Sequence, residues 1–539
     1  MKKSLITAAI AASLPLLAGA QTATDAFQLS QQGLRGTARF MSMGGAFTAL
    51  GGDLSTLNQN PGGIGLYRNS EIGATLDINM LSGKSTTQGF SASSNMTKAN
   101  CNNFGYIGAV YTGSDIMPYF NWGASYSRTA SFDRRFKGSI GNLQGSLTNL
   151  IAGYTTQDAF SDNELSGGTG YNPYLDSQAS WMSILAYNSF MITPVGSSTN
   201  TNYQGLWQSG TSGHGSFASE EKGYADEYAI NFGGNISNIV YWGMGFGITD
   251  LEYRQSVYYT EDMENASIPV LDNNGNTIGT TTGGAGFGLD SWKHIWGSGF
   301  NFKIGAIVRP INELRLGFAV HTPTYYNLKQ EGFAQTDFGM GGGISGTNQV
   351  NDGYVDYFEW KLRTPWRIMA GVAGVIGSQA ILSLDYEYRP MQKTHVSDRD
   401  GYAYTDINGD ITTYYKAVNI LRLGAEYRIS PSWSVRAGYQ WQSSPVEQSF
   451  ERGEEYVYTD GPDGTETTPS FTIDKTRQYV TCGLGYRYKN FYADAAYVHG
   501  IRKGAFQTFT ANNYNGATPV QAKLSDKTDQ IVISAGFKF

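Results

Sequence analysis

Apolar and polar residues alternate with a period of two in many segments of this 539-residue chain, from Glu71 to its end. In "LRLGAEYR", for example, Leu421 and Leu423 alternate with Arg422 and Glu426. Successive side chains of a β-strand point to opposite faces, so this pattern predicts strands with one apolar and one polar face. Such strands form either a soluble sandwich with the apolar faces inside or a membrane barrel with the apolar faces outside.

The lengths of the connections favour the barrel. The alternating segments number about fourteen. Short connections such as "RPINEL" and "ISPS" alternate with long ones, of which the largest covers residues 131–224. Short turns on one side, long loops on the other and an even strand number are typical of outer-membrane barrels. We therefore predict an all-β protein, a transmembrane antiparallel barrel over residues 71–539 with long extracellular loops.

Both ends of the chain fit an exported barrel. Residues 1–20, "MKKSLITAAIAASLPLLAGA", have the basic start, apolar run and small-residue end of a secretory signal peptide, which predicts cleavage before Gln21. The last strand, "DQIVISAGFKF", ends in Phe539 and resembles the signal by which a barrel-assembly machinery recognises its clients. These features predict a multi-pass protein of the outer membrane of a Gram-negative-type bacterium, with that machinery and the lipid bilayer as partners.

The composition agrees with this location. The chain has 36 tyrosines and 68 glycines, and only 15% of its residues are charged, against about 25% in typical soluble proteins. Tyrosine and tryptophan form the interfacial girdles of membrane barrels. The formal net charge of −7 becomes more negative once the two lysines of the signal peptide are removed, which argues against nucleic acid as a partner.

The sequence contains no recognisable catalytic or metal-binding constellation. The five histidines are scattered without metal-ligand spacing, so we predict no enzyme activity, no cofactor and no metal site. Cys101 and Cys482 are expected to be free and packed, with a bridge as the alternative. Two calcium-like stretches, "LDNNGNTIG" from Leu271 and "TDINGDITT" from Thr405, lack the full ligand series and are predicted to be hairpin tips.

Residues 21–70 precede the first strand and contain no alternation. They are rich in small residues, as in "MGGAFTALGG" and "NPGGIG". A barrel of about fourteen strands is wide enough to leak. This segment has the size of a plug, so we predict that it forms an N-terminal hatch inside the lumen; the hatch residues that we single out are Phe47, Asn60, Pro61 and Gly62.

The loop 131–224 contains apolar residues at helical spacing. We predict short amphipathic helices there, which either cap the barrel or form an apolar groove that collects a hydrophobic ligand. The candidate ligand-binding residues are Leu147, Ile151, Trp181, Ile184, Leu185 and Phe190.

Charged residues on the polar face of the strands are predicted to line the lumen. They pair with neighbouring acids and the hatch, or they receive a carboxylate head group. The candidates are Arg315, Arg422, Arg436 and Asp385, together with Glu387.

Several stretches resemble the FadL/TodX-type outer-membrane transporters. The main one is "GLRGTARFMSMGGAFTALGGDLSTLNQNPGGIGLYR", residues 33–68. In that family a similar segment with an Asn-Pro-Ala motif forms the hatch of a fourteen-stranded barrel. Asn60 and Pro61 match the motif, whereas Gly62 replaces its alanine. "GFAVHTPT" from Gly317 and "LRTPWRIMAGVA" from Leu362 resemble later strands of the family.

The resemblance implies passive uptake of hydrophobic small molecules, such as long-chain fatty acids or hydrocarbons. The ligand enters an extracellular groove, reaches a site near the hatch and leaves sideways through the wall at a kinked strand. Gly123 in the third strand is our candidate for that kink. The alternative hypothesis is a structural or accessory subunit of an outer-membrane secretion or assembly complex, motivated by the long polar loops.

Overall fold

The computed structural model describes residues 22–196, 201–353, 355–377, 379–456 and 464–539, so the predicted signal peptide and its cleavage site lie outside the described residues. The described chain forms one closed antiparallel barrel whose first and last strands pair with each other along sixteen residues of each strand. Fourteen strands form the wall, which confirms the predicted fold class and strand number. Within these ranges no helix is both long and apolar enough to cross a membrane.

Some wall strands are interrupted, so the number of strand segments exceeds fourteen. Strands β10 and β11 follow one another across Pro323, and β13 and β14 do so across Pro365, because proline cannot donate a ladder hydrogen bond. The strands are β1 Glu71–Thr87, β2 Phe90–Tyr111, β3 Tyr119–Ser131, β4 Arg134–Ile140, β5 Ile192–Pro194, β6 Tyr203–Gly205, β7 Ser212–Ile236, β8 Val240–Leu271, β9 Thr277–Ile311, β10 Leu314–His321, β11 Tyr325–Met340, β12 Ile344–Gln349, β13 Asp356–Arg363, β14 Arg367–Ile376, β15 Ala380–Pro390, β16 His395–Asp398, β17 Ala417–Arg428, β18 Trp433–Gln442, β19 Phe471–Tyr488, β20 Phe491–Gln507 and β21 Gln521–Lys538.

Helices occur only in the segment before the barrel and in the long loops of the described chain. The α-helices are α1 Ala23–Leu29, α2 Ala38–Ser42, α3 Thr56–Gln59, α4 Leu147–Gln157, α5 Asp162–Leu165, α6 Pro173–Asp176, α7 Trp181–Asn188, α8 Thr405–Tyr414 and α9 Gln448–Glu451; short 3-10 helices cover Pro61–Leu66, Gly341–Gly343, Val350–Gly353 and Met391–Lys393. Helices α4 and α7 are the amphipathic loop helices that the sequence predicts.

An apolar belt surrounds the outside of the barrel. On β8 the belt includes Phe246 and Ile248, which are exposed, and it ends at the exposed Asp250. The ten residues from Val240 correspond to a belt about 25 Å tall once strand tilt is included, the height of the lipid-facing band of membrane barrels. The strand continues to Leu271, so it projects about 70 Å along its own direction beyond the belt.

The segment before β1 lies inside the barrel and is almost entirely buried. Helix α2 contacts β18 to β21, whereas the 3-10 helix Pro61–Leu66 contacts β3 and β7 to β9 on the other side of the lumen. The contacts are close because wall glycines face hatch backbone. A Cβ added at Gly317 would overlap the carbonyl of Thr48, and one at Gly438 would overlap the amide of Gly44.

The structure corrects two local predictions. The "LDNNGNTIG" stretch forms the β8–β9 hairpin tip as expected, but "TDINGDITT" is helix α8 and not a hairpin. The side chain of Asn408 fixes that helix, since it both accepts from the amide and donates to the carbonyl of Val396. Both cysteines are free; Cys482 is exposed on the outer face and not packed.

Filling one of the wall glycines should weaken the attachment of the hatch. A Cβ at Gly305 would overlap Oδ1 of Asn60. We expect Gly305→Val to lower the free energy of unfolding by about 1–3 kcal/mol, the usual cost of overpacking, and to raise the leak conductance of the barrel. Urea unfolding in detergent and single-channel recording measure the two effects. Gly374→Val is the matched control, because a Cβ there has open space; equal behaviour of the two variants would contradict the prediction.

Candidate functional site

The Asn-Pro pair of the hatch joins hatch and wall. Asn60 is fully buried, and its Oδ1 accepts the amide N–H of Gly62 at 3.0 Å, which caps the 3-10 helix. Its Nδ2 donates to the carbonyl of Thr48 at 2.6 Å and to that of Ala306 in β9 at 3.3 Å. Pro61 occupies the first helical position, where a missing N–H costs nothing. The pair therefore fixes a tight turn of the hatch against β9.

Phe47 and Gly62 are explained by packing. Phe47 is fully buried, 5.4 Å from the ring of Phe40, and the Arg39 guanidinium lies 5.3 Å from its ring centre. A Cβ on Gly62 would lie 2.9 Å from backbone atoms of Ala306. Glycine instead of alanine at this position therefore lets the hatch approach the wall more closely.

The four predicted lumen charges all face the interior, where they bind the hatch or neighbouring acids of the wall. Asp385 accepts the amide of Thr48 at 2.7 Å, and Arg315 donates to the carbonyl of Leu50 at 2.8 Å. Arg436 pairs with two buried or half-buried acids, Glu426 and Asp494, each at 2.6 Å. Arg422 pairs with Glu387 at 2.5 Å.

The ladder of backbone hydrogen bonds between β2 and β3 ends before the two strands do. The ladder between these strands runs from Tyr111 opposite Tyr119 up to Asn103 opposite Ser127, and it stops there. Beyond it β2 pairs only with β1, while β3 stays paired with β7 through an irregularity between Arg128 and Ala130. The two strands diverge at the upper edge of the apolar belt, and we call this gap the β2–β3 window.

Side chains replace the missing ladder across the window. Arg128 donates to Oδ1 of Asn100 at 2.8 Å, and Lys98 pairs with Asp133 at 2.5 Å. Strand β4 limits the window from above, since it pairs with β7 and the segment after it binds the β1–β2 turn through Gln88 and Asn142.

The structure places Gly123 below this window. Gly123 lies opposite Ile107 on one side and Asn231 on the other, within uninterrupted ladders. The irregular part of the third strand is at Arg128, five residues further along. A bulge is not visible in the sequence here, because "SYSRTASF" keeps a strand-like composition throughout.

Three connected cavities lie between the hatch and the wall behind the window. The outermost has a volume of about 100 Å³ and is lined by apolar residues, including Leu34, Leu81 and Met96, next to polar groups. It continues along residues 32–35 of the hatch into a cavity of about 60 Å³, which shares Gln32 and Arg367 with a third of about 20 Å³.

The middle cavity is lined mainly by basic side chains, each of which has a carboxylate partner. Its lining contains one carboxylate, Glu227, and six basic residues: Arg35, Arg128, Lys303, Arg367, Arg389 and Arg422. Glu227 binds Lys303, and Glu387 is shared by three of the arginines. Within the described chain, Nη1 of Arg422 is buried without a hydrogen-bond acceptor. Of these residues the sequence singled out only Arg422, because inward arginines do not reveal which of them share a cavity.

The six candidate ligand-binding residues of the loop do come together. Leu147, Ile184 and Leu185 are fully buried, and Trp181 stacks edge-on against Tyr174 at 5.4 Å. The remaining two, Ile151 and Phe190, belong to or pack against the same apolar cluster, which includes aromatic residues of β4, β7 and β20. These residues therefore belong to the buried core of a cap over the barrel.

The protein is a fourteen-stranded barrel with an N-terminal hatch inside its lumen. A FadL homologue from Pseudomonas aeruginosa is similar to this chain, with a TM-score of 0.52 and 13% sequence identity over 94% of this chain and 99% of that chain. The chain therefore has the fold of the FadL-type barrels.

Two further similar structures are more distant. The toluene transporter TodX of P. putida has a TM-score of 0.46 at 14% identity, and TbuX of Ralstonia pickettii, also a toluene transporter, has 0.42 at 12%; each match covers 94% of this chain and 99% of the other. Neither a protein-family model nor a curated protein sequence matches this chain.

The cap is attached to the wall by a buried acid. Glu261 lies on β8, eleven residues beyond the charged end of the apolar belt at Asp250 and hence outside the membrane. Its Oε1 accepts the Leu147 amide at the start of α4 at 2.9 Å and the Tyr259 hydroxyl at 2.7 Å. Burial raises the pKa of Glu261 from 4.5 to about 7.

The cap should consequently open more readily as the pH rises. A carboxyl whose folded pKa is raised stabilises the fold fully below pH 4.5 and loses this contribution as the pH passes 7, up to about 3 kcal/mol. We expect faster limited proteolysis of residues 131–224 at pH 8 than at pH 5. Glu261→Gln should remove most of this pH dependence, whereas Glu264→Gln on the same strand, where the side chain is exposed, should preserve it. An unchanged pH profile in Glu261→Gln would contradict the assignment.

Proposed function

We propose that the protein is an outer-membrane channel for small amphipathic molecules that have an apolar chain and an anionic head group. The observation that carries this proposal is the β2–β3 window with the cavities behind it. A membrane barrel satisfies its backbone hydrogen bonds by closing its sheet, because lipid offers no partners. A stretch of wall in which side chains replace the ladder is costly to maintain, and it lies where lipid and lumen meet.

The lining of the cavities supports the ligand class. The outer cavity offers apolar surface from Leu34, Leu81 and Met96, and the middle one offers the unpaired Nη1 of Arg422 beside five other cations. An ionised carboxylate or phosphate matches such a cluster through charge-assisted hydrogen bonds. A neutral hydrocarbon would leave the Nη1 donor of Arg422 without an acceptor. The chemistry therefore favours amphipathic acids such as fatty acids over aromatic hydrocarbons.

The FadL-type fold supports transport as the class of function. Its solved examples include proteins described as toluene transporters and monoaromatic hydrocarbon channels. We propose that this chain shares transport of a hydrophobic compound with them and differs in taking an acidic one. The ligand passes between the lipid and the lumen through the window, and displacement of the Arg128 to Asn100 bond opens the path.

Closing the window should stop transport. In a background in which both cysteines are replaced by serine, Asn100→Cys and Arg128→Cys are joined by a short bis-maleimide reagent. We expect uptake of a fluorescent fatty acid by proteoliposomes to fall at least about tenfold, because the route through the wall is blocked. A matched control joins Ala493→Cys to Ala535→Cys, which face each other in the closed β20–β21 ladder. Undiminished uptake after complete cross-linking at the window would refute this route.

Removing the unused Nη1 donor of Arg422 should change specificity. We expect Arg422→Gln to weaken binding of a long-chain carboxylate by about 10–100-fold, the range of a hydrogen bond to a charged group, and to leave binding of the corresponding alkane unchanged. Arg436→Gln is the control for lost lumen charge, because that arginine is fully engaged by Glu426 and Asp494. Isothermal titration in detergent measures both ligands. Equal losses for carboxylate and alkane would show that Arg422 acts on structure and not on the head group.

A second candidate function is a structural subunit of an outer-membrane complex. The observation that favours it is the extracellular sheet, in which β7, β8, β9 and β11 project far beyond the belt. Charged residues of its outer face, such as Arg254, Asp262 and Glu264, are exposed. Unchanged uptake by the cross-linked window, combined with recovery of the barrel in a stoichiometric complex, would favour this function over transport.

A further inference from the structure

The outer surface carries a cluster of lysines directly above the apolar belt on one side of the barrel. Lys503 on β20 and Lys84 on β1 both lie opposite Ser525 of β21, one on each side of it. Lys523 and Lys527 lie two residues before and after Ser525 on the same strand. All four lysines are exposed, and the residues next to Lys84 and Lys523 in sequence are buried, so the alternation turns these lysines outward.

The register gives the dimensions of this lysine patch. Neighbouring strands are about 4.8 Å apart, so the backbones of Lys84 and Lys503 are separated by about 10 Å. Lys523 and Lys527 are about 13 Å apart along β21. The four ammonium groups therefore surround one small area of the surface, the size of a phosphorylated sugar head group, and repel one another unless an anion lies between them.

The patch has no acidic ion-pair partner among the residues that the structure describes. Within the described ranges none of the four lysines forms an ion pair. The nearest outward acid on β21, Asp529, is engaged by Tyr497 at 2.5 Å and His499 at 2.7 Å. Elsewhere around the extracellular part of the chain, several outward lysines have partners: Lys222 binds Glu220, Lys329 binds Glu359 and Lys416 binds Glu447.

Its position fixes the kind of anion that it meets. On β21 the outward residues beyond Asp529 are apolar and include Ile531 and Ile533; on β1 the apolar outward residues include Ile78 and Met80. The patch thus begins where the belt ends, on the side of the long loops. This is the level of the head groups of the outer leaflet, and basic clusters at a membrane surface bind anionic head groups. The outer leaflet of a Gram-negative outer membrane consists of a glycolipid that carries phosphates.

We propose that Lys84, Lys503, Lys523 and Lys527 form a binding site for the phosphates of this outer-leaflet glycolipid, with its acyl chains lying against the adjacent apolar belt. The proposal depends on residence in the outer membrane and not on transport. It attaches one glycolipid to β20, β21 and β1, the strands at which the barrel closes. Since lysines replace the divalent cations that normally bridge these phosphates, the bound lipid is retained when such cations are removed.

The test uses the full mature chain purified in mild detergent with EDTA present. Native mass spectrometry measures binding of lipid A that carries two phosphates, of the same lipid without phosphates, and of phosphatidylglycerol. We expect one tightly bound diphosphorylated lipid A, and about tenfold weaker binding after replacement of the four lysines by serine. Replacement by arginine should keep binding close to wild type, because it conserves the charges.

The control variant replaces the paired lysines Lys222, Lys329 and Lys416 by serine and should bind as wild type does. Heat-modifiable migration on gels shows that each variant is folded. Equal lipid A binding by folded wild type and the four-serine variant would overturn the proposal. Equal affinity for the phosphate-free lipid or for phosphatidylglycerol would also overturn it, since either result would mean that the patch does not recognise the glycolipid phosphates.

Discussion

The backbone of a membrane protein has to satisfy its hydrogen bonds without help from lipid, and the rest of this structure depends on that constraint. Fourteen strands meet it by closing β1 onto β21. Closure at this size leaves a lumen, which the N-terminal hatch fills by placing its backbone against wall glycines such as Gly317 and Gly438. The β2–β3 window departs from this pattern of continuous backbone pairing. There the ladder between the two strands ends, and a side-chain hydrogen bond from Arg128 to Asn100 links them instead.

Charged side chains are distributed differently on the lumen side and on the outer side of the barrel wall. Inward acids and bases neutralise one another around Glu387 and Glu426, but Nη1 of Arg422, which lines the middle cavity, keeps an unused donor. In the described part of the chain, several outward charges above the apolar belt are paired, whereas the four residues of the lysine patch are not. Both exceptions are cationic and both lie beside apolar surface. An amphipathic anion inside and a phosphorylated lipid outside are the molecules that would complete them.

The candidate site was only partly predictable from the sequence. Alternation identified inward residues such as Arg422 and Asp385, and helical spacing identified the cap residues Leu147 and Trp181. Helical spacing did not show that these cap residues are buried, because burial depends on which residues pack on the opposite side. The prediction at Gly123 found the third strand but missed the irregularity at Arg128, since a bulge is defined by the partner strands. The Asn408-Gly409 pair became helical because its tertiary contact with Val396 outweighs the local turn preference.

The sequence by itself determined the class of fold: period-two alternation, alternation of short and long connections, and a small-residue segment before the first strand specify a plugged membrane barrel. These are local or statistical features that need no knowledge of neighbours. Only the tertiary structure decided where the ladder ends, which arginines share a cavity and which lysines form a patch. Each of those depends on the register between strands that are up to several hundred residues apart, as Lys84 and Ser525 are. A single sequence does not record register, because many pairings preserve the same alternation.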